Sequence, residues 1–231
     1  MFLYAQVMAN IILIAGTYHG GWYWGDLAGN LRELGHDVYA PTLDGLGLDS
    51  PSAEPIDLDR HIQNVIEIID SNKLEEVTLV GWSYGGMVIT GVPSRTSAKI
   101  RHLVYLDAAF PKSGEAEFDL IPAWLRDKQI DECADGLNQF PSKDFLRYES
   151  RMKPHPIGTK QQPIVYDELA FAKLPKTYVI AGREAENGVF ARVVDRIKGD
   201  SSWRFKTLDA GHDLFRDAPN EVEALLVEIL E

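Results

Sequence analysis

Short, largely apolar runs recur along the chain, and most of them are followed by a helical pattern. The runs are Ile11 to Ala15, Asp37 to Ala40, Glu76 to Gly81, Ile100 to Leu106, Thr177 to Ala181 and Trp203 to Leu208. The helical patterns cover Trp22 to Leu34, Asp57 to Ile69, a segment from Tyr84, about Val189 to Ile197, and Asn220 to Leu230. Apolar runs of this length are typical of strands buried on both faces, and right-handed crossovers join such strands into a parallel sheet. The sequence therefore predicts a mostly parallel sheet of about six strands flanked by helices.

The segment between the fourth and fifth predicted strands, residues 108–173, departs from this pattern. It consists of short pieces rich in Pro, Phe, Trp and acidic residues, with no run long enough to join the sheet. Insertions much longer than about 15 residues are usually functional. We therefore expect one α/β domain over residues 1–231, with a small, mainly helical cap inserted before its last two strands.

Charge and hydropathy exclude two classes of partner. The chain has 23 Lys and Arg against 35 Asp and Glu, which gives a formal net charge of −12. Nucleic-acid binding needs clustered positive charge, and the sequence contains no basic stripe, so we expect no nucleic-acid partner. No stretch approaches the roughly 18 to 20 apolar residues that span a bilayer, so we expect no membrane partner.

The chain has a single cysteine, Cys133, which excludes an internal disulfide framework and a multi-cysteine metal site. We predict no cofactor and no metal. Residues 1–16 are largely apolar but contain no Lys or Arg, so we expect no secretory signal and a cytoplasmic location. A homodimer is compatible with the sequence.

Ser83 lies in a sequence context that is typical of a serine nucleophile. The predicted strand ending at Gly81 runs into Gly81-Trp82-Ser83-Tyr84-Gly85-Gly86 and then into a helix. A nucleophile elbow requires this order of strand, sharp turn and helix, with small residues at Gly81 and Gly85 to let strand and helix approach. We expect Ser83 to have a strained backbone that projects its hydroxyl above the sheet.

A serine hydroxyl needs a base, and the base needs an acid to orient it. His212 follows the last predicted strand and is the candidate base. Asp107 is the first candidate for the acid, because it ends an apolar strand, where a charge is costly without a partner such as an imidazole. Glu184, just past the next strand, is the alternative acid, and a purely structural role for Asp107 stays open. Backbone N–H groups of Thr17 and Tyr84 are the candidate oxyanion donors.

Four segments of the chain resemble a known family. They are Ala15-Gly16-Thr17-Tyr18-His19-Gly20-Gly21-Trp22-Tyr23-Trp24, the stretch from Val38 to Gly47, the elbow around Ser83, and Gly211-His212-Asp213. Together they resemble α/β-hydrolase-fold esterases. More narrowly, they are similar to the branch that holds plant methylesterases, hydroxynitrile lyases and bacterial pyrethroid-type carboxylesterases. The resemblance covers nearly the whole chain outside the predicted cap, and it implies ester hydrolysis.

Three positions depart from the pattern of that family. The usual His-Gly before the oxyanion residue is Ala15-Gly16, and the usual position of the acid holds Ala185. The segment around Asp107 is instead similar to the lipase variant of the fold, in which the acid follows the strand after the elbow. Hydroxynitrile lyases of this branch have a lysine directly after the histidine, where this chain has Asp213, so lyase activity is disfavoured.

Aromatic residues of the predicted cap indicate an apolar or aromatic ester of small to medium size as the substrate. Trp22, Phe110 and Trp124 are the candidate substrate-binding residues, although helix packing and a small cap core explain such rings equally well. A catalytically silent ligand receptor or interaction protein with the same fold is the alternative function.

Overall fold

Parallel strands form the centre of the molecule. The computed structural model describes residues 8–47 and 53–230, and within them six parallel strands form one sheet in the order β2-β1-β3-β4-β7-β8. The strands are β1 (Asn10–Ile14), β2 (Asp37–Tyr39), β3 (Val77–Trp82), β4 (Ile100–Leu106), β7 (Lys176–Ala181) and β8 (Trp203–Leu208). Each bound lies within one residue of its prediction, and the predicted fold class is confirmed. Residues before Met8, including much of the apolar start of the chain, lie outside the described residues.

Helices cover both faces of this sheet. They are α1 (Gly25–Glu33), α2 (Leu58–Asn72), α3 (Gly85–Gly91), α9 (Ala191–Ile197), α10 (Leu214–Asp217) and α11 (Pro219–Leu230). Side chains along β1 alternate between two cores: Ile12 and Ile14 pack with α2 and α3, whereas Ile11 and Leu13 pack with α1 and α11. Because successive strand residues point to opposite faces, a strand between two helical layers must be apolar at nearly every position.

Helix α2 has a defined beginning and end. The Asp57 side chain caps its first turn by accepting a hydrogen bond from the Arg60 N–H at 2.9 Å. Lys73 ends the helix in the left-handed conformation, with φ 52°.

The first predicted helix begins as a 3-10 turn over Gly21–Trp24, which precedes α1. Trp24 is fully buried and has φ −90° and ψ 6°, so the chain bends there before the α-helix begins.

The segment between β4 and β7 is mainly helical, as expected for a cap. It contains α4 (Glu117–Leu120), α5 (Ala123–Asp131), α6 (Lys143–Tyr148), α7 (Gly158–Gln161) and α8 (Glu168–Ala172). Two short strands, β5 (Asn138–Gln139) and β6 (His155–Pro156), pair antiparallel with each other and stay apart from the main sheet. No helix among the described residues is both long and apolar enough to cross a bilayer.

Candidate active site

Ser83 lies on a sharp turn between β3 and α3. Its φ is 54°, a left-handed value that is uncommon for a residue with a side chain and that agrees with the predicted strain. Its carbonyl oxygen accepts hydrogen bonds from the N–H groups of Gly86 at 3.1 Å and Ala109 at 3.0 Å, which hold the turn in place. A Cβ atom on Gly81 would lie 2.7 Å from the backbone of Gly85, so strand and helix approach more closely than an alanine allows.

The structure brings Ser83, His212 and Asp107 into one hydrogen-bonded line. Nε2 of His212 lies 3.0 Å from Oγ of Ser83, and Nδ1 lies 2.6 Å from Oδ2 of Asp107. Because a carboxylate only accepts, Nδ1 carries the proton and Nε2 is left to accept the Ser83 hydroxyl. The Trp82 indole N–H donates to the His212 carbonyl oxygen at 2.8 Å and fixes the loop that carries the imidazole.

The two candidate acids lie in different surroundings. Asp107 follows β4, is 6% exposed and has φ 40°. Its own N–H donates to the Val179 carbonyl oxygen at 2.8 Å, so the neighbouring strand fixes its backbone. Glu184 is exposed in a 3-10 turn after β7 and lines the cavity beside Ser83, but it makes no hydrogen bond to His212 among the described residues. The geometry therefore favours Asp107 as the partner of the imidazole.

The loop after β1 packs directly against Ser83. A Cβ atom on Gly16 would lie 2.8 Å from the Cβ of Ser83, so only glycine permits this approach. Within the described part of the chain, the backbone N–H groups of Thr17 and Tyr84 have no hydrogen-bond acceptor. Thr17 follows Gly16, which packs on Ser83, and Tyr84 follows Ser83 directly, so two unpaired donors are available near the serine for an oxyanion.

His19 supports this loop, although the sequence patterns did not single it out. Its Nδ1 lies 2.7 Å from the Thr17 carbonyl oxygen, and its own N–H donates to the Gly16 carbonyl oxygen at 3.1 Å. Burial lowers the pKa of the His19 imidazole, which favours the neutral ring with Nδ1 as the donor. Neighbouring Tyr18 has φ 70° and donates from its hydroxyl to Glu132 of the cap at 3.2 Å.

Asp213, next to His212, is held by two tyrosines. The Tyr23 hydroxyl donates to Oδ1 at 2.5 Å, and the Tyr148 hydroxyl donates to Oδ2 at 3.0 Å. Burial, and after it the charge of Asp213, raises the pKa of Tyr23 well above its usual value, so this hydroxyl stays protonated and donates. Tyr148 belongs to α6, and this contact therefore joins the cap to the loop that carries the imidazole.

A cavity of about 620 Å³ lies beside Ser83 and His212. Part of its wall is apolar, and the side chains there are Ile121, Leu125, Phe145, Met152, Val189 and Phe190. Another part is polar and comes mainly from the cap, with Glu117, Lys128, Gln129, Glu132 and Gln139. The wall of the cavity is therefore mainly apolar, with a smaller polar part on the side of the cap.

The three residues expected to bind substrate do not line the cavity beside Ser83. Phe110 packs against Phe171 and Trp203 in the core under the sheet. Trp22 lines an adjoining cavity and is covered by the Arg151 guanidinium, 4.2 Å from the ring centroid. Trp124 is 67% exposed on α5 and does not line the cavity beside Ser83. Aromatic residue type alone does not indicate whether a side chain faces a cavity, the core or the surface.

The chain matches a family model described as "Alpha/beta hydrolase family" over residues 11–225. It is 33% identical to a carbendazim hydrolyzing esterase from Nocardioides sp. (strain SG-4G), over 96% of this chain and 100% of that protein. It is 32% identical to an alpha-hydroxynitrile lyase from Arabidopsis thaliana, over 62% of this chain and 52% of that protein.

Solved structures show the same fold. An extracellular alpha/beta-hydrolase from a Paenibacillus species superposes with a TM-score of 0.78 and 21% identity, covering 96% of this chain and 98% of that one. A pyrethroid hydrolase from Sphingobium faniae JZ-2 superposes with a TM-score of 0.73 and 20% identity, covering 97% and 98%. The family match, the full-length esterase relative and these two folds agree with the resemblance read from the sequence. The chain belongs to the alpha/beta hydrolase family.

Proposed function

We propose that this protein hydrolyses carboxylic esters through an acyl-enzyme intermediate on Ser83. One observation carries the proposal: the hydrogen-bonded line from Ser83 Oγ through His212 to Asp107, with distances of 3.0 and 2.6 Å. The esterase relative, which matches 96% of this chain, supports ester hydrolysis as the reaction class. The protein is a carboxylesterase-type hydrolase that acts on small-molecule esters.

The reaction begins when Nε2 of His212 takes the hydroxyl proton of Ser83 and Oγ attacks the ester carbonyl carbon. The carbonyl π electrons move onto oxygen, and the Thr17 and Tyr84 N–H groups donate to this oxyanion. The oxyanion then re-forms the carbonyl, the carbon–oxygen bond to the alcohol breaks, and His212 gives its proton to the departing oxygen. Water repeats the sequence in place of Ser83 and releases the acid. Asp107 orients the imidazole and stabilises its charged form throughout.

The surroundings of His212 favour ester hydrolysis over hydroxynitrile lyase activity. A lysine after the histidine is the feature of hydroxynitrile lyases that this chain lacks, and Asp213 stands in its place. Each carboxylate oxygen of Asp213 accepts a hydrogen bond, from Tyr23 or Tyr148, and a carboxylate does not replace the ammonium group of that lysine. Ester hydrolysis needs no charged group at this position.

The cap, residues 108–173, encloses the substrate in this proposal. Cap side chains such as Ile121, Leu125 and Phe145 form much of the apolar wall of the cavity beside Ser83. A wall of this kind binds the hydrocarbon or aromatic part of an ester and excludes water from the acyl-enzyme. The volume of about 620 Å³ fits a substrate of small to medium size.

A burst assay tests the proposed function. We expect p-nitrophenyl acetate to release one equivalent of p-nitrophenol rapidly, and Ser83→Ala to remove the burst and lower kcat by at least about 10³-fold. Ser71→Ala is the matched control, because Ser71 is an exposed serine of α2 whose hydroxyl bonds to its own helix. Failure of the unchanged protein to release p-nitrophenol, either as a burst or at steady state, would favour the ligand receptor or interaction protein instead.

A further inference from the structure

The backbone of the proposed base is held differently from the backbones of the nucleophile and the acid. The N–H of Ser83 donates to the Leu106 carbonyl oxygen at 3.3 Å, and the N–H of Asp107 donates to the Val179 carbonyl oxygen at 2.8 Å. Neighbouring strands therefore hold both residues. His212 lies in the loop after β8, and among the described residues its backbone makes no hydrogen bond to another backbone group. Side chains must therefore hold the imidazole beside Ser83.

Trp82 supplies the hydrogen bond that the backbone of His212 receives. Its indole N–H donates to the His212 carbonyl oxygen at 2.8 Å, and its ring centroid lies 5.5 Å from that of the imidazole. The side chain is buried, so water competes little for this bond. Trp82 directly precedes Ser83 in the chain, so the donor and the nucleophile belong to the same turn. The bond therefore fixes the base relative to the nucleophile itself.

Tyr23 holds both the indole and the loop. Its ring stacks on Trp82, with the ring centroids 4.4 Å apart and the planes at 8° to each other. Its hydroxyl donates to Oδ1 of Asp213, the residue after His212, at 2.5 Å. Two rings in contact with each other thus hold two consecutive residues of the loop.

We propose that Trp82 and Tyr23 are positioning residues that keep the His212 imidazole within reach of the Ser83 hydroxyl. This inference rests on the proposed function, in which His212 moves a proton both when the acyl-enzyme forms and when water hydrolyses it. An imidazole that spends part of its time away from Ser83 slows both half-reactions by the same factor. The value of kcat then falls, whereas KM, which depends on the ratio of the two rates and on substrate binding, stays the same.

Two substitutions of Trp82 separate the N–H group from the ring. Trp82→His keeps an N–H close to the position of the indole N–H, because imidazole matches the five-membered part of indole, but it loses the benzene part. Trp82→Phe keeps a six-membered ring and has no donor. At about pH 8 an ordinary histidine is neutral. With p-nitrophenyl acetate at this pH, we expect Trp82→Phe to lower kcat about tenfold, the ratio that one net hydrogen bond gives, and Trp82→His to lower it less than about threefold. KM should change less than about twofold in both.

Thermal unfolding of the same variants distinguishes positioning from general support of the fold. Trp82→His removes more buried apolar surface than Trp82→Phe, so it should have the lower Tm of the two. A merely structural role predicts that kcat follows Tm, whereas the positioning role predicts the opposite order. Tyr23→Phe removes a single oxygen atom and should keep the fold even if Trp82→Phe does not, and we expect it to lower kcat by about three- to fivefold.

Trp24→Phe is the matched control. Trp24 is also a buried tryptophan that packs against Tyr23, with the ring centroids 4.9 Å apart. Its indole N–H, however, has no hydrogen-bond acceptor within the part of the chain that the structure describes. Trp24→Phe therefore removes similar apolar surface together with an N–H that holds nothing. We expect it to lower Tm and to leave kcat within about twofold of the unchanged protein.

A second measurement needs no turnover. The proton on Nδ1 of His212 lies in the 2.6 Å hydrogen bond to Asp107 and should give a low-field proton resonance that is absent from His212→Gln. We expect this resonance to be sharp in the unchanged protein and in Trp82→His, and to be broadened by exchange in Trp82→Phe, where the imidazole leaves its place part of the time.

A kcat that follows Tm across the variants, equal kcat values in Trp82→His and Trp82→Phe, or a loss confined to KM overturns the proposal. So does a resonance that stays equally sharp in Trp82→Phe. If the unchanged protein hydrolyses no ester, the proposed function fails, and the resonance still shows whether the two rings hold His212.

Discussion

The carboxyl edge of the sheet and the cap are built differently. At the sheet edge, Ser83 and Asp107 each directly follow a buried strand, and both have positive φ angles, 54° and 40°. The cap consists of helices of four to nine residues, and α5 has no fully buried residue. Strand ends fix side chains precisely because several neighbouring strands hold each backbone, whereas short surface helices leave many orientations available. The comparison teaches that strand ends fix the backbone of the proposed catalytic residues, whereas the short helices of the cap constrain their side chains less.

The largest expected effect comes from the acid at the sheet edge. Asp107→Asn should lower kcat by about 10³- to 10⁴-fold, because an amide facing Nδ1 no longer holds the imidazole in the required tautomer. Asparagine tolerates a positive φ, so the fold should be retained. Steady-state kinetics with p-nitrophenyl acetate measures the loss.

Glu184→Gln is the matched comparison for that variant, and its kcat should stay within a few-fold of the unchanged protein. A large loss from Glu184→Gln together with a small loss from Asp107→Asn would reverse the choice of acid. The same result would place a catalytic group in an exposed turn and so break the contrast between the sheet edge and the surface elements.

The next effect concerns the close packing at the elbow. A Cβ atom on Gly85 would lie 2.5 Å from the Ile14 carbonyl oxygen, so Gly85→Ala must push α3 away from β1. We expect the free energy of unfolding in urea to fall by about 2–4 kcal/mol, in the range of other overpacking changes, with a further loss of kcat.

Gly29→Ala is the control for this substitution, because a Cβ atom at Gly29 of α1 meets no heavy atom within 4 Å. Alanine is the better helix former, so Gly29→Ala should leave stability unchanged or raise it by up to about 1 kcal/mol. If Gly85→Ala is tolerated as well as Gly29→Ala, the elbow has room for a Cβ atom at Gly85 and is not closely packed against β1.

A smaller effect concerns the pH dependence of stability, and it comes from a histidine between α2 and the cap. His61 of α2 is fully buried, its Nε2 lies 2.8 Å from the Asp44 carbonyl oxygen, and its Nδ1 lies 2.9 Å from the Tyr84 hydroxyl. Its ring also meets that of His155 from β6 of the cap at 5.9 Å. Burial lowers the pKa of His61 to about 4. Between about pH 6.5 and pH 4 the unfolded chain therefore binds a proton that the folded protein does not, and stability is lost as the pH falls through that window.

We expect this histidine to contribute a slope of at most about 1.4 kcal/mol per pH unit in that window. His61→Gln keeps a donor near the position of Nε2 and removes the titration, so urea unfolding of this variant at pH 7, 6 and 5 should show a shallower dependence. An unchanged slope would mean that His61 is solvated in solution and that the junction is looser than the packing indicates.

The smallest predicted effect separates two neighbouring residues of the cap. Leu125 lines the cavity beside Ser83, whereas the adjacent Trp124 is 67% exposed. Leu125→Ala should raise KM several-fold with little change in kcat, because it removes apolar contact with the substrate. Trp124→Ala should change KM less than twofold. The reverse result would restore Trp124 as a substrate-binding residue and show that the cap moves when substrate binds.

Sequence patterns predicted the sheet well. Side chains of each central strand alternate between two apolar cores, so the strand is a continuous run of apolar residues. They predicted the elbow equally well, because the glycines around Ser83 are required by backbone contacts below 3 Å. The cap was harder. Its aromatic residues indicated a pocket, but Phe110 packs against the core and Trp124 lies at the surface.

The sequence by itself determined the order of strands and helices, the turn that carries Ser83 and the residue types available for chemistry, because each of these depends on neighbours in the chain. Only the tertiary structure decided that Asp107 meets an imidazole 105 residues away and that cap residues line the cavity beside Ser83. Contacts over that separation depend on how the crossovers bring strand ends together and on how the cap packs. Local patterns in the sequence predict neither.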